Sequence, residues 1–491
     1  MAKKVFNILL VVYVLISVSF LCVYSQEKDD VIYIDFLGIT KLALENNLDI
    51  QMAKFDAYIN RNNLFEAESI FDTFFNAQLS YEKNNLDAAS TLLGSSSSTS
   101  NYSVGITKKM PTGTTIGIEA YNRRIWSNST FYSLNPNTEA NVGISLTQPL
   151  AKNFFGFTDR TNIKITKLNI TNSDFTSLDN IEAALAGVQK AYWEVVLRYE
   201  ELQIKKDMLN EAKKLYEIYK KKVNIGLVEE PDVLAARANV FSKKSDVLSA
   251  QLLFNEAKNN LLYLLNIKDT DKKVIPLDRL DVKTGRFNLY DELKEAVETR
   301  RDYRIVKNQV SASSLDVALK KNSLWPQIDL VSSFTKNGIS LNYKDAWSKV
   351  SSDDYSSWSI GVNISFPLER RKEKSYYNKA KLNKAKLLLL LKKTERLIFR
   401  EINNSVTQIN SLANRIEALK SVVELQKKKL VAEKIRLKYG RSSSDIIIRY
   451  QNDVLNSRLM LSEALFSYRI AVIELERNKN TLLFKYWKQK I

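Results

Sequence analysis

Between residues 73 and 148 the chain alternates apolar and polar residues with a period of two. Ala77, Leu79 and Tyr81 are interleaved with Asn76, Gln78, Ser80 and Glu82. Tyr102, Val104 and Ile106 are interleaved with Ser103, Gly105 and Thr107; Ile116, Ile118 and Ala120 with Thr115, Gly117 and Glu119; Val142, Ile144 and Leu146 with Asn141, Gly143 and Ser145. Side chains on a strand point to opposite faces in turn, so this pattern predicts four strands, each with one apolar and one polar face. Pro111-Thr112-Gly113 reads as a turn, Gly94 to Ser100 as a linker or exposed loop, and the stretch holding Trp126, Phe131, Tyr132 and Pro136 as a polar loop. One further strand is expected after Trp325-Pro326. Another is expected where Ile360, Val362, Ile364 and Phe366 alternate with Ser359, Gly361, Asn363 and Ser365.

Elsewhere the spacing changes to three and four. Leu37, Thr40, Leu44, Leu48, Met52 and Phe55 predict one helix from Asp35 to Ile70, and a second such helix runs from Leu289 to about Leu324. From Ile163 to Ile225 there is no proline and one glycine, in a run rich in good helix formers. A helix of about 60 residues is on the order of 90 Å long. A second rod runs from about Lys372 to Tyr439. Each follows a strand end marked by proline, Gln148-Pro149-Leu150 and Phe366-Pro367-Leu368, where a residue without an N–H leaves the ladder. Each stops at a glycine, Gly226 or Gly440, as a left-handed helix cap requires. From Pro231 to Leu265, Leu234, Ala238, Phe241, Ser245, Leu248 and Leu252 follow a 4-3-4-3-4 spacing, a coiled-coil seam.

The order repeats. Ala43–Asp49 aligns with Ala296–Asp302, Gly143–Leu150 with Gly361–Leu368, and Gly226 with Gly440. Two structural repeats are expected, residues 26–280 and 281–482, each of helix, strands, long helix, turn and helix, followed by a basic tail over 483–491. Residues 1–25 have the outline of a signal peptide: Lys3 and Lys4, an apolar core from Ile8 to Cys22, and Val23-Tyr24-Ser25 before the cleavage point. An uncleaved membrane anchor and a lipoprotein centred on Cys22 are the other readings of that segment.

Composition removes chemistry. The chain has no histidine, and its single cysteine is Cys22. Ser/His/Asp and Cys/His catalysis and zinc-type ligand sets are therefore excluded, and neither a GxGxxG nor a Walker loop is present. The reading is not an enzyme, with no catalytic residue, no metal and no cofactor. The net charge of +18 first suggests nucleic acid, but lysines such as Lys205-Lys206 and Lys220-Lys221-Lys222 are spread as solvated helix faces, so no nucleic-acid partner is expected. The lysine content suggests a partly basic wall in any channel, favouring anionic cargo.

This order, with the Gln-Pro-Leu strand end and the turn Gly226-Leu-Val-Glu-Glu-Pro-Asp232, resembles the TolC-type outer membrane efflux proteins from about Val31 to Leu482. The resemblance implies an α+β membrane protein. Three copies would each give four strands to one twelve-stranded transmembrane β-barrel, continued by a long α-helical coiled-coil barrel. It implies a cell outer membrane location spanning into the periplasm, contact with outer-membrane lipid, and a homotrimer working with an inner-membrane pump and a periplasmic adaptor. The function implied is a passive gated duct for a tripartite efflux pump or a type I secretion system. A periplasmic coiled-coil scaffold or adaptor without a channel is the alternative. One barrel per chain is also excluded physically, because so few strands cannot close and open edges are not tolerated in lipid. Trp126, Tyr132, Tyr355 and Trp358 are candidates for an interfacial aromatic girdle, or are ordinary loop and core aromatics. The first half shows four strands where the family has two, so Tyr102 to Tyr121 either lengthens the family strands beyond the membrane or adds strands to the barrel.

In this family the helix turns close the periplasmic entrance. The resemblance places Asp232 at the gate aspartate of the first turn, and Arg441 and Asp445 close to the gate positions of the second. Read from the residues alone, Asp232 and Asp445 are also helix N-caps or first-turn acids.

Overall fold

The computed structural model describes residues 31–85, 87, 94–268, 273–281, 284–352 and 354–487. The signal-peptide segment, Cys22 included, lies outside them. The chain divides into two compact units, one of residues 1–48, 185–286 and 409–473, the other of 49–184, 287–408 and 474–491. Each is described by itself.

In the first unit, β1 (Val31–Ile34) and α1 (Phe36–Asn46) precede the later part of α3 (Phe157–Val223). Then come α4 (Glu230–Leu264), β6 (Lys273–Pro276), the later part of α8 (Arg371–Lys438) and most of α9 (Ser444–Lys479). β1 and β6 pair in parallel. The Tyr192 hydroxyl donates to Asp278 at 2.5 Å and to the Ile34 carbonyl at 3.2 Å, fixing α3 beside that small sheet. Burial and the neighbouring Asp278 charge raise the Tyr192 pKa, so it stays a donor. Residues of α3 and α8 fall in both units; at 67 and 68 residues each helix is about 100 Å long.

The second unit holds α2 (Leu48–Glu68, from Asp49), β2 (Thr73–Asn85), β3 (Ser96–Lys109), β4 (Thr115–Ser127) and β5 (Asn137–Pro149), followed by the start of α3. It continues with α5 (Leu289–Thr299), α6 (Arg301–Asn322), β7 (Gln327–Ser340), α7 (Tyr343–Val350), β8 (Ser356–Ser365) and the start of α8. α10 (Leu482–Trp487) ends it. One antiparallel sheet runs in the order β2-β3-β4-β5-β7-β8. Its helical part is tied by buried charge. Arg301, 4% exposed, donates to Asp179 at 2.8 Å and to Glu182, itself 1% exposed. The Asn480 amide donates to both carboxylates. A guanidinium so enclosed persists only because each neighbouring oxygen is bonded.

Four differences from the sequence reading have physical causes. The expected helix from Asp35 to Ile70 is two helices. Asn47 leaves the helix with φ −63° and ψ 127°, its N–H still bonding Ala43 and its side-chain amide donating to the Leu264 carbonyl at 2.7 Å. The expected helix from Leu289 breaks in the same way at Arg300, at φ −62° and ψ 123°, whose N–H bonds Ala296. Ser96 to Ser100 is strand, not loop, and pairs with Asn85 to Tyr81 of β2; Trp126 likewise lies inside β4. These segments lack apolar alternation because both neighbours are polar there, while the backbone ladder continues. Finally, the basic tail expected from 483 begins as packed helix. Leu482 and Leu483 are buried in α10, and the Leu483 N–H donates to Glu182; 488–491 lie outside the described residues.

Candidate functional site

Two surfaces carry the functional candidates, one in each unit. The first is the pair of helix turns. α3 ends with the Gly226 N–H on the Val223 carbonyl at 3.0 Å and the Leu227 N–H on Lys222 at 3.0 Å. α8 ends in the same way, with Gly440 on Leu437 at 3.2 Å and Arg441 on Arg436 at 3.0 Å. Gly226 and Gly440 take φ +69° and +70°, and nothing stands within 4 Å of an added Cβ, so glycine is required for its dihedral and not for space.

Asp232 is the third residue of α4, not its N-cap, which is Glu229. Its carboxylate accepts the Ser444 hydroxyl at 2.7 Å, so the first residue of α9 ties one turn to the other. Ser444 is 2% exposed. Beneath them Tyr219 is buried with Leu215, Ala236, Leu430, Leu437, Ile447 and Val454, and all four helices meet there. Burial first and the Asp232 charge second raise the Tyr219 pKa, against a hydrogen bond with Ser444. Asp445 instead stands exposed in an i,i+4 pair with Arg449 at 2.8 Å, and Arg441 is exposed. Within one chain the structure thus joins Asp232 to Ser444, not to Arg441 or Asp445. Sequence reasoning missed Ser444 and Tyr219. Pro149 closes β5, eight residues before α3, and Pro367 lies between β8 and α8.

The second surface is the six-stranded sheet. Cross-strand partners share a face, so the registers define rows. One row reads Phe75, Ile106, Ile118, Ile144, Phe334, Trp358. Its neighbours on the same face include Val104, Ala120 and Val142, then Leu330 and Val362. This apolar face is exposed: Ile118 and Ile144 are each 50% accessible and Trp358 75%. The opposite face is mainly Ser, Thr, Asn and Gly. It forms a concavity of about 440 Å³ lined by residues such as Asn76, Ser103, Tyr121, Asn141 and Thr335. Greasy outside and polar within is the inverse of a water-soluble sheet and matches a lipid-facing barrel wall. Trp126 and Trp358 lie on the apolar face; Tyr132 and Tyr355 are exposed outside the strands.

The polar face of the sheet carries charge of both signs. The strands place Glu82, Glu119, Glu139 and Asp329 there, against Lys109 and Arg123. Near one end of the apolar face α7 sets Ala346 and Val350 on Ala140 and Val142. A Cβ at Gly338 would run into the Ala346 carbonyl, so glycine admits that helix. Among the described residues no helix is long and apolar enough to cross a membrane, and no cluster of potential ligands could hold a metal.

Comparison with known proteins agrees with these surfaces. A sequence model of the family described as outer membrane efflux protein matches residues 115–266 and 293–478. That match takes in β4, β5, β7 and β8 and leaves β2 and β3 outside. Among solved structures, CusC is similar with a TM-score of 0.68 at 15% identity, over 93% of this chain and 95% of that one. The Campylobacter jejuni CmeC outer membrane channel gives 0.64 at 18%, over 91% and 85%. The Neisseria gonorrhoeae MtrE outer membrane channel, solved in its open state, gives 0.65 at 17%, over 91% and 89%. No curated protein matches the sequence.

Proposed function

The chain belongs to the outer membrane efflux protein family, and from that premise we propose that it is the passive outer-membrane duct of an export machine. As a member of that family it is an outer-membrane protein of efflux and not an enzyme. Three copies close their sheets into one transmembrane barrel, and their long helices continue the passage through the periplasm. An inner-membrane pump and a periplasmic adaptor supply energy and load the cargo, as in a tripartite pump or a type I secretion system. The observation that carries this reading is the exposed apolar face on a sheet with two open edges. A periplasmic scaffold without a channel has no use for such a face, which in water would aggregate. The matching helix breaks at Asn47 and Arg300 and the matching turns at Gly226 and Gly440 support two repeats, 26–280 and 281–482.

The gate lies at the helix turns, where Asp232, Arg441 and Asp445 stand. In one chain Asp232 is held by Ser444, which pins the two turns together. Arg441 and the Asp445–Arg449 pair remain exposed and are free to meet neighbouring copies. Planar-bilayer recording tests both parts of the reading. The wild type is expected to be mostly closed. The double variant Asp232→Ala, Ser444→Ala is expected to open more often, by about tenfold, the effect of losing roughly 1.4 kcal/mol of a hydrogen bond to a charged group. A protein that is monomeric and soluble without detergent, or that never conducts, overturns the duct; equal open probability in wild type and variant overturns the gate.

A further inference from the structure

Resting on the trimeric duct, we infer that each copy supplies six strands and not four, so that the shared barrel has eighteen. The extra pair is the hairpin of β3 and β4, and it lies within the sheet. β3 pairs with β2 from Thr73↔Lys108 to Asn85↔Ser96, and with β4 from Ser97↔Ser127 to Lys109↔Thr115. β4 pairs in turn with β5 from Thr115↔Thr147 to Ile125↔Asn137. The hairpin therefore widens the sheet at constant height and does not lengthen the flanking strands, which supports added strands over lengthened ones.

The side chains agree with the backbone. A hairpin standing in water above the membrane has no reason to carry an apolar face. Val104, Ile106 and Ile118 are 49%, 48% and 50% exposed, and Ile106 and Ile118 continue the row between Phe75 and Ile144. The hairpin thus carries the same lipid-facing belt as the strands beside it. Against the four strands per copy that the family resemblance implies, β3 and β4 are the additional pair, set between β2 and β5.

The two edges fit one another. β2 and β8 are each paired on one side only, with thirteen and ten residues. Six is an even number, so β8 of one copy meets β2 of the next antiparallel, and three copies close an all-antiparallel cylinder. A second copy of this chain is the occupant of each edge, because an unpaired ladder in hydrocarbon is not tolerated. At about 4.8 Å between strands and a tilt of about 40°, eighteen strands make a barrel about 36 Å across the backbone, where twelve make about 24 Å. The membrane section then passes solutes whose cross-section a twelve-stranded wall excludes.

Thiol crosslinking decides the matter, since the only native cysteine is Cys22. Gln78, Ser103, Tyr121 and Asn141 form one row across β2 to β5. With a short thiol-to-thiol crosslinker, the pair Gln78→Cys, Ser103→Cys and the pair Tyr121→Cys, Asn141→Cys are expected to link within one chain of the assembled protein. The pair Gln78→Cys, Asn141→Cys, three strands apart, is not. Linkage of that last pair within one chain means that β2 and β5 are adjacent, and it overturns the six-strand share while leaving the trimer intact. Native mass spectrometry of the detergent-extracted wild type reads the trimer separately; a monomer there overturns the duct reading itself. Where a cysteine variant does not assemble, end-on electron-microscope views of the wild-type trimer decide, with a ring of about 36 Å expected and one of about 24 Å overturning it.

Discussion

Glu211 on α3 accepts the Lys434 ammonium of α8, and that of Lys214 at 3.0 Å. The bond from Lys434 is the main reason the Glu211 pKa lies below its ordinary 4.5. A carboxylate depressed in the folded state adds stability above its unfolded pKa and loses it as pH falls through the folded value. Wild type is therefore expected to lose thermal stability more steeply than Lys434→Met below about pH 4.5. Melting curves followed by circular dichroism in detergent between neutral and acid pH check this, and parallel pH profiles would refute it. The sequence singled out neither residue, since both lie among the many charges of solvated helix faces. Asp232 was singled out by the family resemblance of the stretch from Gly226 to Asp232, and not by a pattern of its own. Ser444 was not, because nothing distinguishes it from Ser442 and Ser443; only the fold makes it 2% exposed.

Among the elements, strands and rods were legible because their periods are long and unmixed. The breaks at Asn47 and Arg300 were not, since neither is glycine or proline and the apolar spacing runs on through both. The seam on α4 was legible as a stripe, but the side it faces was not. Leu234, Phe241, Leu248 and Leu252 are 56%, 59%, 64% and 59% exposed, while Ala236, Ala250, Phe254 and Leu261 on the other side of the same helix are buried. Helical period alone cannot say which of two stripes faces its own chain. In the proposed trimer, an apolar stripe left open at coiled-coil spacing would be completed by a neighbouring copy. Leu248→Lys is then expected to leave the fold of the single chain unchanged and to shift the detergent-extracted protein from trimer toward monomer. Native mass spectrometry with circular dichroism checks both halves. A variant as trimeric as wild type removes this stripe from the interface.

In the proposed trimer the wall, not the composition, is expected to set which ions pass. The net charge of +18 belongs to the whole chain, and most of it is on helices. Within the sheet, Lys109 is paired with Asp159 at 2.7 Å, and Arg123 lies directly opposite Glu139 on the next strand. Lys109 is thus answered by an ion pair, and Arg123 faces a carboxylate across the ladder. Glu119 faces no charge across the ladder: its cross-strand partners are Gly105 and Gly143, and it is exposed on the polar face. Three copies in the proposed trimer would bring three such carboxylates to its lumen, where glycine neighbours neither screen nor neutralise them. A ring of like charge in a pore wall concentrates counter-ions. Under a potassium chloride gradient, reversal potentials are expected to show cation preference, and Glu119→Gln is expected to move them toward zero more than Glu139→Gln, which faces Arg123 across the ladder. Anion preference in the wild type would place the controlling charge elsewhere, on the helical section of the passage, and would restore the lysine-rich wall that composition first suggested.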